Sequence, residues 1–373
     1  MYRTLRKLVW KELTPPFLLG LFGFSFILLS AKMVDLLEWV VERGIPLSKA
    51  LFAFLYLLPS YLIFVFPMSL LLSILFVWGR FAVDNETIAL KSSGYNLTTL
   101  SAPFWEFTGM VFGITLLVSN FVAPQAQTAF RQLLRETAIT HLEKGIRPHV
   151  FTEISKGLVL YADQMDPDGE LQGILISDER HSEKPFFTLA KKGRFRKAQE
   201  IPNMGIELED GMMLVQHAKQ EKSHIVHFSK YHLEISPLEK EGKEKGVKKI
   251  EEWNALELFR GIQAAVDPLQ KRRLQTEWHR RLALPFACFV FAIIGVALGS
   301  HIPPRSAKTR GFSLSLAIFI SYYLLLTGGE TWVAKQGVSP ALAIWFPNAF
   351  LGLFGVLSYY RAQKESFSVR GKR

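Results

Sequence analysis

Six apolar blocks constrain this chain more than any other feature. They fall at about 15–37, 51–78, 103–124, 282–300, 312–334 and 341–360. Each approaches or reaches the roughly 20 residues that a helix needs to cross about 30 Å of hydrocarbon. Inside lipid every backbone N–H and C=O must find a partner within the protein, so each block is expected to be a helix. Pro59, Pro67 and Pro285 lie inside or at the ends of these blocks. Proline is tolerated there because neighbouring helices can satisfy the carbonyls it frees.

The direction of threading follows from Lys and Arg bias in short loops. With the N-terminus in the cytoplasm, the inner segments collect Arg3, Arg6, Lys7, Lys11, Arg80, Lys91, Arg305, Lys308, Arg310, Arg361 and Lys364, whereas the short outer loops hold only Arg43, Lys49 and Lys335. Basic and acidic residues balance at 24 each between residues 125 and 278. The net charge of +11 is therefore almost entirely juxtamembrane, which excludes a nucleic-acid-binding surface. The opening "MYRTLRKLVWKEL" places Leu5, Leu8, Val9 and Leu13 on one helical face, opposite Arg and Lys. That pattern predicts an interfacial helix and an uncleaved anchor.

Between the third and fourth blocks the period changes from helical to alternating. "FTEIS", "LVLYADQM", "QGILISD", "FFTLAKKGRF", "MGIELEDGMMLVQH" and "SHIVHFSKYHLEI" are short strand-like runs. Turn signals such as Asp166-Pro167-Asp168-Gly169 and Asp210-Gly211 punctuate them. Strands at this spacing suggest a sandwich or jelly roll. "EKEGKEKGVKKIEE" reads as a charged linker, and 253–281 as one helix leading into the fourth span. The single cysteine, Cys288, permits no internal disulfide, so this exported region must be held by packing.

Enzyme motifs are scarce. The chain has no G-x-x-x-x-G-K-[ST] loop, no H-E-x-x-H and no paired C-x-x-C, so no bound nucleotide, metal or other cofactor is expected. His224 and His227 are three apart in a strand, on opposite faces, and make a poor metal pair. Lys32 is more informative. It lies roughly 22 Å above the cytoplasmic entry of the first span, with Asp35 one turn further and Arg43 beyond. It either snorkels outward or pairs with Asp35, or else it faces a cavity that accepts an anionic headgroup. Arg131 and Arg135, one helical turn apart after the third span, and Arg280 and Arg281, before the fourth, reach the same outer level. Singly each reads as an interfacial anchor; together they suggest phosphate contacts. Glu330, near the outer end of the fifth span beside Gly328 and Gly329, is either an interfacial carboxylate or the lining of a gate between helices. The loop "GRFAVDNETIALKSSGYN" has helical character at 83–92, with Asp84, Glu86 and Lys91 off its apolar face. It is either a solvated polar helix or a dock for a separate ATPase.

Four stretches, "KMVD", "NETIALKSSG", "VAPQ" and "EWHRRLALPFA", occur in an order and topology that resemble the LptF/LptG permeases of the lipopolysaccharide exporter. The likeness covers nearly the whole chain. It implies an α-helical membrane protein with six transmembrane helices plus an extracytoplasmic all-β, jelly-roll-like domain inserted between helices 3 and 4. Its divisions fall at 1–124 (N-terminal interfacial helix and helices 1–3), 125–281 (periplasmic β domain with flanking helices) and 282–373 (helices 4–6 and cytoplasmic tail). It also implies that Lys32 and Arg131, with Arg135 as a second basic residue, meet the phosphorylated sugar of lipid A. Glu86 and the closing Gly94 match the family's coupling helix. The partners implied are a cytoplasmic ATPase dimer, a paralogous permease subunit forming a heterodimer, a periplasmic jelly-roll bridge protein and lipopolysaccharide itself. The chain would then be no enzyme but a permease subunit in the bacterial inner membrane. It carries features of both F and G types. The rival readings are a membrane-embedded enzyme on lipid-linked substrates, which needs clustered acid–base groups, and a scaffold whose outer domain binds proteins.

Overall fold

The computed structural model describes residues 2–43, 46–83, 97–145, 148–155, 157–166, 170–179, 186–197, 204–216, 223–235, 248–299 and 307–368. Helices α1 (Tyr2–Arg43), α2 (Leu47–Val83) and α3 (Leu97–Leu117) come first. A π-helical turn (Val118–Val122) joins α3 to α4 (Ala123–Gly145). Six strands follow: β1 (Thr152–Ser155), β2 (Leu158–Met165), β3 (Glu170–Asp178), β4 (Phe186–Lys197), β5 (Met204–Gln216) and β6 (Ser223–Ile235). A 3₁₀ turn (Ile250–Glu252) leads to α5 (Ala255–Ala264), α6 (Pro268–Gly299), α7 (Ala307–Gln336) and α8 (Pro340–Ser368). Among the described residues six stretches are long and apolar enough to cross a membrane: Arg6–Ser30, Leu47–Phe81, Thr98–Leu134, Pro268–Gly299, Gly311–Gln336 and Pro340–Lys364. The chain forms two compact units: a helical one (Met1–Glu42, Pro46–Phe130, Lys249–Arg373) and a β-rich one (Arg43–Ile45, Arg131–Lys248).

In the helical unit α2 and α6 are central and pack on each other, while α3, α7 and α8 surround them. Lipid tails are as apolar as leucine, so helix association in a membrane rests on close packing and interhelical hydrogen bonds. The core shows both. Trp78 stacks on Phe104 with centroids 5.4 Å apart, and Phe17 meets Phe107 edge-on at 5.5 Å. No break separates the amphipathic start from the first span: α1 is continuous, with Val9 and Leu13 buried in the main core. The Ser73 hydroxyl donates to the Leu13 carbonyl at 2.6 Å, close to where Pro15 and Pro16 remove two helical donors. Ion pairs Arg6–Glu106 (2.8 Å) and Arg80–Glu12 fasten the same end of α1 to α3 and α2.

Prolines set the other fixed points. Pro285 cannot donate to the carbonyl of Arg281, four residues back. That carbonyl instead accepts the Ser119 hydroxyl at 3.3 Å, from the π-helical turn after α3. The nearby Ala283 carbonyl accepts the Asn348 amide at 2.9 Å and the Tyr322 hydroxyl at 3.4 Å. Pro347 likewise frees the Ala343 carbonyl, and Gly329 of α7 lies so close to it that a Cβ would collide with that oxygen.

The β unit is one antiparallel meander in the order β1-β2-β3-β4-β5-β6. Every strand contributes to its core, among them Ile154, Leu158, Ile174, Ala190, Leu208 and Leu233. Period-2 alternation puts these on one face, as along β2, where Leu158, Leu160 and Ala162 are buried. Asp166 N–H closes the β2–β3 hairpin on the Glu170 carbonyl at 2.9 Å. Asp210-Gly211, which reads as a turn in the sequence, lies inside β5: Asp210 takes φ 51°, and the pairings with β4 and β6 hold on both sides of it.

The helix expected over 253–281 is two helices. Asn254 and Glu257 form a capping box for α5, and α6 begins afresh at Asp267-Pro268. Asp267 accepts the amides of Leu269 (3.1 Å) and Gln270 (3.3 Å) while proline occupies the first helical position, a start signal stronger than the continuing apolar period. Because the contact at Gly329 is to backbone, Gly329→Ala should lower stability by about 1–3 kcal/mol in detergent thermal unfolding; an unchanged transition would show that α7 and α8 do not approach so closely.

Candidate functional site

The stretch "EWHRRLALPFA" opens the apolar part of α6, and its polar residues build the densest charge network among the described residues of the helical unit. Helical spacing explains it: Glu277 lies one turn before both Arg280 and Arg281, so one carboxylate faces two guanidiniums. Its Oε1 accepts Arg281 Nε at 2.8 Å, and its Oε2 accepts Arg280 Nε at 3.0 Å and Nη2 at 2.8 Å.

The two arginines then diverge. Arg281 is turned inward, its side chain 5% exposed. Its Nη1 donates to the Trp253 carbonyl at 2.5 Å, and its Nη2 to the carbonyls of Glu251 (3.1 Å) and Ile250 (3.3 Å). It thereby holds the 3₁₀ turn that enters from the β-rich part of the chain. Arg280 is half-buried and reaches the other way, to Glu330 of α7 at 3.9 Å. Beside it Trp345 Nε1 donates to His279 Nδ1 at 3.4 Å. A cavity of about 250 Å³ adjoins the network, lined by Ser60, Tyr61, Gln127, Glu251, Glu277 and Arg280 among others. Gln127 donates to the Ser60 hydroxyl there at 3.1 Å.

Lys32 is exposed on α1, flanked by exposed Met33 and Val34. Arg131 is half-buried on α4. The side chains of Asp35, Arg43 and Arg135, and the whole of Asp84, Glu86, Lys91 and Gly94, lie outside the described residues. Sequence reasoning missed Glu277, Ser119 and Asn348. The E-x-x-R-R spacing signals Glu277; the other two depend on which helices pack against α6 and carry no local signal.

The β unit has a separate cavity of about 850 Å³ on its second sheet face, lined by residues including Tyr161, Leu175, Leu189, Met212 and His227. The hydrogen bond to Asp163 pushes the Tyr161 hydroxyl above its ordinary pKa. Phe187, Leu214 and Ile225 continue an exposed apolar row across the same face. Among the described residues no group of three His, Cys, Asp or Glu could hold a metal.

Six spans interrupted by an antiparallel sheet define a polytopic membrane protein with an inserted β domain. The chain belongs to the family of lipopolysaccharide export system permeases LptF/LptG, whose model matches residues 7–361. An uncharacterized protein of Rickettsia prowazekii (strain Madrid E) is 21% identical over 188 residues, which is 50% of this chain and 52% of that protein.

Removing one partner of a buried ion pair leaves an uncompensated charge, at about 3–5 kcal/mol, whereas loose, partly exposed pairs contribute up to about 1 kcal/mol. Glu277→Gln should therefore lower the unfolding temperature markedly in detergent and Glu330→Gln hardly at all; equal shifts would contradict this division of roles.

Proposed function

We propose that this chain is a permease subunit of an ATP-driven exporter that extracts lipopolysaccharide from the outer leaflet of the inner membrane and passes it to a periplasmic bridge. The family match over residues 7–361 is the observation that carries this reading. The proposed topology places both termini in the cytoplasm and the sheet in the periplasm, with domain divisions at 1–124, 125–281 and 282–373. It leaves the Lys32 end of α1 and the Arg280 end of α6 at the outer surface, where lipid A phosphates lie. There Lys32, Arg131 and Arg280 attract and orient the anionic headgroup while apolar helix surfaces accept acyl chains. A guanidinium takes phosphate through paired hydrogen bonds and a lysine as a point charge. Asp35, Arg43, Arg135 and Glu330 complete the proposed set. Arg281, committed to backbone carbonyls, acts by position.

No covalent change of the lipid is implied. The free energy comes from ATP hydrolysed on a separate cytoplasmic dimer, received at Asp84, Glu86, Lys91 and Gly94, and a paralogous subunit closes the other side of the cavity. The apolar row Phe187, Leu189, Met212 and Leu214 gives the β unit a surface on which acyl chains can travel.

Purification with co-expressed neighbours tests the reading: a co-purifying ATPase stimulated by lipopolysaccharide supports export, whereas turnover of a lipid by the isolated chain would replace it with an enzyme. Lys32→Glu should cut that stimulation about tenfold with assembly intact, the scale of one lost charge-assisted contact; full stimulation would remove Lys32 from the site. Glu86→Ala should reduce recovery of the ATPase, and undiminished recovery would place docking elsewhere.

A further inference from the structure

The network around Glu277 has more order than a set of interfacial anchors requires. Starting from the turn that follows the β-rich part of the chain, backbone carbonyls of residues 250, 251 and 253 hold Arg281. Arg281 holds one oxygen of Glu277, the other oxygen holds Arg280, and Arg280 meets Glu330 on α7. The links are unequal. Those inside the chain are 2.5–3.3 Å and largely buried, while the last, at 3.9 Å, joins two side chains about one-third exposed. Arg280 keeps Glu277 whether or not Glu330 is present, so the final contact can open at small cost. Only 22% of the apolar window of α7 is buried inside the protein, against 72% for α6, so most of its apolar surface faces outward.

We propose that Arg281, Glu277 and Arg280 form a relay that couples the 250–253 turn to α7, with the Arg280–Glu330 pair as its releasable latch. This deepens the export reading and rests on it. The turn is firmly bolted to α6, so a pull on the chain leading from the sheet turns or tilts the start of α6, and Arg280 moves with it relative to Glu330. An anionic headgroup arriving beside Arg280 weakens the same pair from the cavity side, since phosphate competes with the carboxylate for one guanidinium. Loading of the cavity and the state of the β-side linker then converge on one contact. Glu277 and Arg281 are positioning residues; neither needs to touch the lipid.

A series coupling has a signature that independent structural damage lacks. The test uses the complete transporter purified with its partner subunits and reconstituted in vesicles, with a photo-crosslinking amino acid at Leu214 in β5. The readout is lipopolysaccharide captured on the sheet per ATP hydrolysed. Arg281→Lys, which loses the planar fork that grips three carbonyls, and Glu330→Gln, which removes the latch charge, should each lower that ratio about fivefold, the size of a typical coupling perturbation. The double variant should remain near fivefold because both cut one path, whereas independent effects would multiply to roughly 25-fold. Glu330→Asp should recover part of the loss and Glu330→Lys should match Glu330→Gln. Multiplicative losses, or a Glu330→Gln complex as efficient as wild type, would overturn the relay while leaving the export reading in place. A wild-type complex that captures no lipid would instead overturn the export reading, and the relay with it.

Discussion

One carboxylate shared by two arginines organises the end of the helical unit around α6. Glu277 brings together two like charges on adjacent residues, and without it Arg281 would lie buried unneutralised. A buried ion pair rarely adds stability over well-packed apolar residues, because desolvation offsets the Coulomb attraction. Its value is in specificity of arrangement. Glu277 fixes where the chain from the sheet rejoins the helices and where Arg280 points. The helix N-terminal to it begins cleanly at Asp267-Pro268, which sets the rotation at which Glu277, Arg280 and Arg281 emerge.

The same short stretch also carries the backbone defects that a bilayer protein must repair. Pro285 removes one donor, and the carbonyl left behind is met by Ser119 from a π-helical turn, itself a local irregularity that swings a hydroxyl into reach. Asn348 and Tyr322 converge on the Ala283 carbonyl. α6 is thus tied by hydrogen bonds to its neighbours: the carbonyl freed by the proline to the π-helical turn, and the Ala283 carbonyl to α7 and α8. Most of the apolar lengths of α2 and α6 are buried and form the centre of the helical unit, while large apolar surfaces of α1 and α7 face outward.

Much of this was legible in the residues. Apolar length marks the six spans and alternation the six strands found among the described residues, with shifts at ends such as Phe186–Lys197. Asp210-Gly211 misled because the same residues that make turns also permit a positive φ inside a long strand. The stretch 253–281 reads as one helix because its periodic pattern masks the Asp-Pro start signal of α6. In the candidate site the basic residues stood out by type and depth, but type and depth do not distinguish Arg280 from Arg281. Only the three-dimensional path of the 250–253 turn, distant by 28 to 31 residues, turns one inward. Ser119 is an ordinary polar residue until a proline on another helix frees the carbonyl it meets, and Asn348 until α8 packs against Ala283.

The reading of these charges as a phosphate-binding rim depends on the side of the membrane they occupy. Cys288 is buried and is the one cysteine of the chain, so a single introduced thiol reports cleanly. A Ser182→Cys variant, exposed to a membrane-impermeant maleimide in cells with a permeabilised outer membrane and an intact inner one, measures the sidedness directly. With the sheet in the periplasm, labelling before lysis equals that after it. Labelling only after the inner membrane is broken would place the sheet in the cytoplasm and contradict the account.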